Sequence, residues 1–174
     1  MLDKLKQHNL YLLIAAAFIA LAAVLASTSF LASDDLGAYL ALSPQTATIT
    51  SGDNFSVFVA ISSAVDFNAA EAVVKFPKEL LEIDSISYED SIIDLWINPP
   101  TFSNTEGILK FSGALTNPEY MRVGNILQIS FRAQRPGTAR LNFSHASVLG
   151  HDGNGTEILE KAFGAIYSIK EPQL

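Results

Sequence analysis

Cysteine is absent from the 174 residues, which rules out disulfides, a thiolate nucleophile and a lipidated cysteine. Basic residues are scarce: 11 Lys and Arg stand against 18 Asp and Glu, a net charge of −7 at neutral pH. Nucleic acid needs a basic footprint, so it is excluded as a partner. The acidity also argues against adhesion to anionic lipid and reads as a source of solubility. The three histidines are His8, His145 and His151. Without thiolates they are too few to converge on zinc. No nucleophile elbow is present, and no nucleophile, base and orienting group assemble into a set, so the chain is not expected to be an enzyme. Asp84, Glu89, Asp90 and Asp94 are close in sequence, but a glycosidase needs two carboxylates converging on one cleft.

One long stretch does stand out. From Leu10 to Ala32 there is no charge, no Pro and no Gly, with Lys4 and Lys6 before it and Asp34 and Asp35 after it. As a helix rising ~1.5 Å per residue, it reaches roughly 33 Å, enough for a bilayer core of about 30 Å. Lysines on the N-terminal side favour a cytoplasmic stub, which puts the rest of the chain outside. The expectation is a single-pass cell-membrane protein: residues 1–33 are stub and anchor, 34–170 an extracellular domain, and 171–174 a short polar tail. The run also ends in small residues, Val24-Leu25-Ala26 followed by Ser27, so a cleaved signal peptide and a secreted domain is the alternative.

Beyond residue 33 the pattern turns to period 2, as in strands that bury one face. Phe55, Val57, Val59 and Ile61 share a side; so do Leu127, Ile129, Phe131 and Ala133, and again Ala139, Leu141 and Phe143. Shorter candidates are Ala38–Leu42, Glu71–Phe76, Glu82–Tyr88, Ile108–Gly113, Ala146–Leu149 and Ala165–Ile169. Turn chemistry separates them at Ser51-Gly52-Asp53-Asn54, Asn104-Thr105-Glu106-Gly107, Arg135-Pro136-Gly137 and Asp152-Gly153-Asn154-Gly155. The prediction is an all-β, antiparallel sandwich of about nine strands. Pro136-Gly137 is predicted to turn a hairpin between the two best strands, and Lys78–Glu82 a single helical turn. With no cysteine, such a domain must rest on its core.

Several segments, in order, resemble cohesin domains. Ile49-Thr50-Ser51-Gly52-Asp53-Asn54-Phe55-Ser56-Val57 is similar to the family's opening strand pair, and Ala72-Val73-Val74-Lys75-Phe76-Pro77-Lys78-Glu79-Leu80-Leu81-Glu82 to its next conserved segment. Gly124–Ala133 followed by Pro136-Gly137-Thr138 resembles a later hairpin, and Val148-Leu149-Gly150-His151-Asp152-Gly153-Asn154-Gly155 the turn before the last strand. One departure is Phe76, where the family usually has Asp before Pro. The resemblance implies a nine-stranded jelly roll and a non-catalytic role, binding the dockerin module of a partner protein on one sheet. It implies a binding face built on three strands, with Val73, Lys75, Tyr88, Trp96, Asn98, Lys110 and Ser112 as candidates.

Two further readings stay open. Ser87 to Thr101 is the longest irregular stretch and holds Tyr88 and the sole tryptophan, Trp96. If Trp96 is exposed, with help from Phe58, Phe67, Phe102 or Tyr120, the domain could stack on envelope or plant polysaccharide. If it is not, Trp96 caps an edge of the core beside a strand of Ile93, Leu95 and Ile97. Asp152, Asn154 and Thr156 alternate as oxygen donors, an incomplete calcium set, since Glu157 and Phe163 occupy the positions where an EF-hand needs Gly and Glu. No other cofactor is expected.

Overall fold

The computed structural model describes residues 37–117 and 123–173. The expected anchor at 10–32 and Tyr120 lie outside them. Among the described residues there is no helix, and hence none long and apolar enough to cross a membrane.

Eleven strands are described, two more than the alternation predicts: β1 (Ala38–Ser43), β2 (Thr46–Thr50), β3 (Asn54–Ser63), β4 (Phe67–Lys75), β5 (Leu81–Ser87), β6 (Leu95–Ser103), β7 (Ile108–Ala114), β8 (Val123–Ala133), β9 (Gly137–Gly150), β10 (Leu159–Phe163) and β11 (Ala165–Lys170). They form a sandwich of a five-stranded sheet, β10-β1-β3-β8-β5, and a six-stranded sheet, β2-β11-β9-β4-β7-β6. The sheets are not wholly antiparallel, because β10 runs parallel to β1 and β2 parallel to β11. The two candidates at Ala139–Phe143 and Ala146–Leu149 are one strand, β9, with a bulge where it passes Val73 and Val74 of β4. His145 therefore lies within a strand and not at its end.

Among consecutive strands only β6 and β7 are neighbours in one sheet. Every other connection crosses the sandwich. The predicted hairpin at Pro136-Gly137 is thus not formed: β8 pairs with β3 and β5, whereas β9 pairs with β11 and β4. The turn residues are right, but Phe131 on β8 and Ala139 and Leu141 on β9 must all be buried. Carrying the chain from one sheet to the other places all three in the same core. The β6–β7 hairpin turns at Gly107 with φ +68, and a Cβ there would come within 2.5 Å of the Phe76 carbonyl oxygen. Lys78–Leu80 makes one turn in which the Leu80 and Leu81 amides both donate to the Pro77 carbonyl at 2.9 Å.

The core follows the alternation. Val57, Val59, Ile61, Leu127, Ile129 and Phe131 point inward from one sheet, and Val74, Leu109, Phe111, Leu141 and Tyr167 from the other. An aromatic string links the layers: Tyr167 meets Phe55 edge-on at 5.2 Å, Phe55 stacks on Phe131 at 5.7 Å, and Phe76 meets Phe131 edge-on at 5.4 Å. Phe76 therefore fills core space. The fully buried Phe131 ring contributes roughly 1.5–3 kcal/mol.

Candidate docking face

The strand register lays out the outer face of β9, β4, β7 and β6 as rows. Leu149, Ala69, Ala114 and Leu95 form the first, all apolar. Ser147, Glu71, Ser112 and Asn98 form the second, and His145, Val73, Lys110 and Thr101 the third. Asn142, Lys75, Ile108 and Ser103 form the fourth. Inward neighbours such as Ala72, Val74, Leu109 and Phe111 are buried, which fixes the facing of each row.

A groove of about 520 Å³ runs over the centre of this face, with Glu71, Val73, Lys110, Ser112 and His145 on its floor and Asn98, Pro99 and Thr101 along the β6 side. A smaller hollow of about 190 Å³ continues it past Ile97, Ala69 and Leu149. Pro99 and Pro100 sit on β6, the sheet edge, where a missing N–H costs no ladder bond and blunts pairing with another chain. In the groove, Glu71 Oε1 and His145 Nε2 are 2.8 Å apart, a half-exposed pair linking β4 to β9.

Of the residues expected on the face, Val73, Asn98, Lys110 and Ser112 are brought together in the groove, and Lys75 lies one row beyond on the same outer surface. Tyr88 and Trp96 are not part of it. Trp96 turns inward from β6, its ring edge-on to Phe111 at 6.3 Å and to Tyr88 at 5.2 Å. Tyr88 follows β5, the edge of the other sheet, so the two rings close the seam between the sheet edges. Leu95 and Ile97 take the outward positions, 50% and 64% exposed. Ile93 is buried just before the strand, so the edge of the core is capped by Ile93 and Trp96 together. Phe67, one of the candidate rings, is fully buried.

Glu71, Pro99, Thr101 and His145 also line the groove, although none of them stands among the candidates read from the sequence. Glu71 and His145 were visible only as a charged and a titratable residue on two separate strands. The signal that joins them is the β4–β9 register, which the bulge hides.

The Asp152 loop is tied together from within. Asp152 accepts the Asn154 N–H at 2.9 Å and the Thr156 hydroxyl, and these two bonds hold its carboxyl down at about 2. Among the described residues, no group of three or more His, Asp or Glu is placed to hold a metal ion. Glu157, next in the chain, binds the Ser147 hydroxyl and the amides of Val148 and Leu159. Partial burial pushes its carboxyl up, but these hydrogen bonds outweigh that and leave it lowered.

Comparison with curated proteins finds no match. Among solved structures, the fold is similar to a type I cohesin in complex with a dockerin from Clostridium thermocellum. That match has TM-score 0.64 and 8% identity, and covers 78% of this chain and 94% of that one. A cohesin from Clostridium acetobutylicum gives TM-score 0.63 and 14% identity over 77% and 91% of the two chains. A non-cellulosomal cohesin from the hyperthermophilic archaeon Archaeoglobus fulgidus gives 0.59 and 13% over 77% and 91%. The family model of the cohesin domain matches residues 40–164, most of the chain, and the protein therefore belongs to the cohesin domain family.

Proposed function

We propose that the protein is a non-catalytic docking module, held at the outside of the cell by its N-terminal apolar segment, that binds a dockerin-type module on the outer face of β9, β4, β7 and β6. The observation carrying this reading is the groove itself: a broad sheet surface with Val73, Ile97 and Leu149 among polar side chains, the mixed character of a protein-docking surface. The family match supports it, and so does the dockerin bound to the Clostridium thermocellum relative. Polysaccharide binding receives no matching support, since its anchor, Trp96, is packed between Tyr88 and Phe111.

The test is calorimetry of the full chain in detergent micelles against calcium-loaded dockerin modules and a panel of soluble glycans. Saturable heat with a dockerin, lost when Val73 is replaced by Asp, establishes the reading. Heat with a glycan alone overturns it. The anchor is checked separately by intact mass and by retention in membranes after alkaline carbonate washing. A mature chain beginning near Ser27, released by the wash, means a cleaved and secreted protein.

A further inference from the structure

A sheet edge shows solvent a row of unpaired N–H and C=O groups, and it invites another strand unless something blunts it. Three of the four edges of this sandwich are blunted. β6 carries Pro99 and Pro100 and two breaks in its register. β5 carries exposed Glu82 and Asp84, with a register shift between Ile83 and Ser85. β10 carries exposed Glu160 and Lys161. The fourth edge, β2, has none of these devices. Thr46–Thr50 holds no proline and no charge, and its register with β11 runs unbroken. In a chain of net charge −7, no charged residue stands between Asp35 and Asp53.

The open side of β2 can be read from its ends. The Gln45 carbonyl accepts the Ile166 N–H, and the Ser51 N–H donates to the Lys170 carbonyl, both at 2.8 Å. Backbone groups along a strand turn to alternate sides, so Ala47 and Ile49 continue that ladder toward β11. Thr46 and Thr48 therefore direct N–H and C=O off the sheet, as does the Thr50 N–H, while the Thr50 carbonyl accepts the Asp53 N–H at 3.1 Å. Among the described residues nothing pairs with the outward groups of Thr46 and Thr48. Ala47 and Ile49 pack against the core, which leaves the three threonines on the solvent side beside Ser168 and Thr138.

We propose that β2 is a self-association edge, at which two copies of the chain pair antiparallel about a two-fold axis through Thr48. Thr48 then exchanges N–H···O=C bonds with its counterpart in both directions, and each Thr50 N–H meets the Thr46 carbonyl of the second copy. The edge is matched to itself: threonine faces threonine, and Ala47 faces Ile49. No like charges meet along it, although the acidity of the chain makes copies repel elsewhere. Each copy has one unguarded edge and the two-fold pairing consumes it, so association stops at a dimer and builds no fibre. Five residues bury far less than the roughly 1,200 Å² of a stable interface, so the contact is weak and forms where copies are crowded. β11 separates β2 from the groove over β9, β4, β7 and β6, so a pair presents both grooves open on one continuous sheet.

The chain has no cysteine, so one introduced thiol is a clean reporter. The test is mild oxidation of the full chain in detergent micelles, with Thr138→Cys as the control for crowding, since Thr138 is also exposed on the outer face. In the dimer the two Thr138 positions lie five strand spacings apart, ~24 Å, against a disulfide limit of about 7 Å between Cα atoms. Thr48→Cys is therefore expected to give at least about tenfold more linked dimer than Thr138→Cys. Mixed Thr46→Cys and Thr50→Cys chains should link to each other, and neither to its own kind. Adding Thr48→Lys to both should remove that product while the melting temperature holds. Thr48→Pro is a second block, because the N–H it deletes is one that β11 does not use. Thr48→Cys linking no better than Thr138→Cys overturns the proposal. So does Thr46→Cys linking to itself as readily as to Thr50→Cys, and so does linkage that survives either block in folded protein.

Discussion

Gly113 lies beneath the indole of Trp96, its partner across the β6–β7 hairpin. A Cβ at Gly113 would stand 3.1 Å from Trp96 Cε3 and 2.4 Å from Ile93 Cγ2, so the ring that closes the sheet seam sits where only glycine leaves room. Replacing Gly113 by Ala is therefore expected to cost about 1–3 kcal/mol and to loosen the seam. Since Trp96 is the sole tryptophan, its emission reports directly. A red shift in the folded variant is the expected result, and an unchanged spectrum with unchanged stability counts against this packing.

The aromatic string through the core predicts where truncation hurts most. Phe131 is fully buried and touches both Phe55 and Phe76. Phe131→Ala should lose about 3–5 kcal/mol in denaturant melts, with the midpoint moving and the slope holding. A loss below about 1 kcal/mol would mean the core collapses around the gap or is not packed this way.

Tyr167 predicts an alkaline limit. Its side chain is fully buried and its hydroxyl donates to the Pro44 carbonyl at 2.6 Å. Burial pushes that hydroxyl up to about 12 from 10.0. The folded state then holds the proton more tightly than the unfolded one, so this stability is complete below pH 10 and falls as pH rises from 10 toward 12. Melting temperatures measured from pH 8 to 11.5 should drop more steeply in wild type than in Tyr167→Phe, which starts lower by the lost hydrogen bond, about 1 kcal/mol.

Acid acts in the reverse sense. The hydrogen bonds from Thr156 and Asn154 lower Asp152, and those from Thr116 lower Asp94. Glu157 is lowered too, its hydrogen bonds from Ser147, Val148 and Leu159 outweighing desolvation. Groups with folded values below their unfolded ones stabilise above pH 4 or so, and that support drains as pH falls toward 2. Asp152→Asn should flatten the fall in melting temperature between pH 5 and 2.5. Identical acid profiles would show that the loop does not feel the carboxylate's charge.

Much of the architecture is legible in the sequence because burial on one face imprints period 2, as Val57, Val59 and Ile61 or Leu127, Ile129 and Phe131 show. The three strands that escaped it are edges, among them Leu95–Ser103, which lies largely in the stretch read as irregular and whose Pro99-Pro100 and bulges break the alternation. Thr46–Thr50 has an exposed and a half-buried side, and Leu159–Phe163 is only partly covered, so neither carries the alternation of a core strand. Partner choice escaped as well. Arg135-Pro136-Gly137 fixes a turn locally, but whether the next strand pairs or crosses is decided by distant strands, β4 and β11, that claim β9. Val73, Asn98, Lys110 and Ser112, named from the family resemblance, line one groove on the outer face of the six-stranded sheet. Tyr88 and Trp96, named with them, meet at the sheet seam outside that groove, because a lone aromatic reads alike on either side of a strand. Glu71 and His145 depended on a register that a bulge displaces.

The pairing of β2 with β11 has a consequence for how the domain comes into being. β2 has no ladder partner except the last strand, and β1 gains its second only when Leu159–Phe163 arrives. During synthesis, residues 46–50 must therefore wait as a loose flap until Ala165–Lys170 has emerged. Closure is then a late event, and slow, because almost every contact spans distant sequence. Trimming β11 would leave β2 unpaired and β9 with β4 alone, and would uncover Tyr167's place in the core. The last described strand works as a latch, and a domain cut short before it should fall to proteases in place of closing its core.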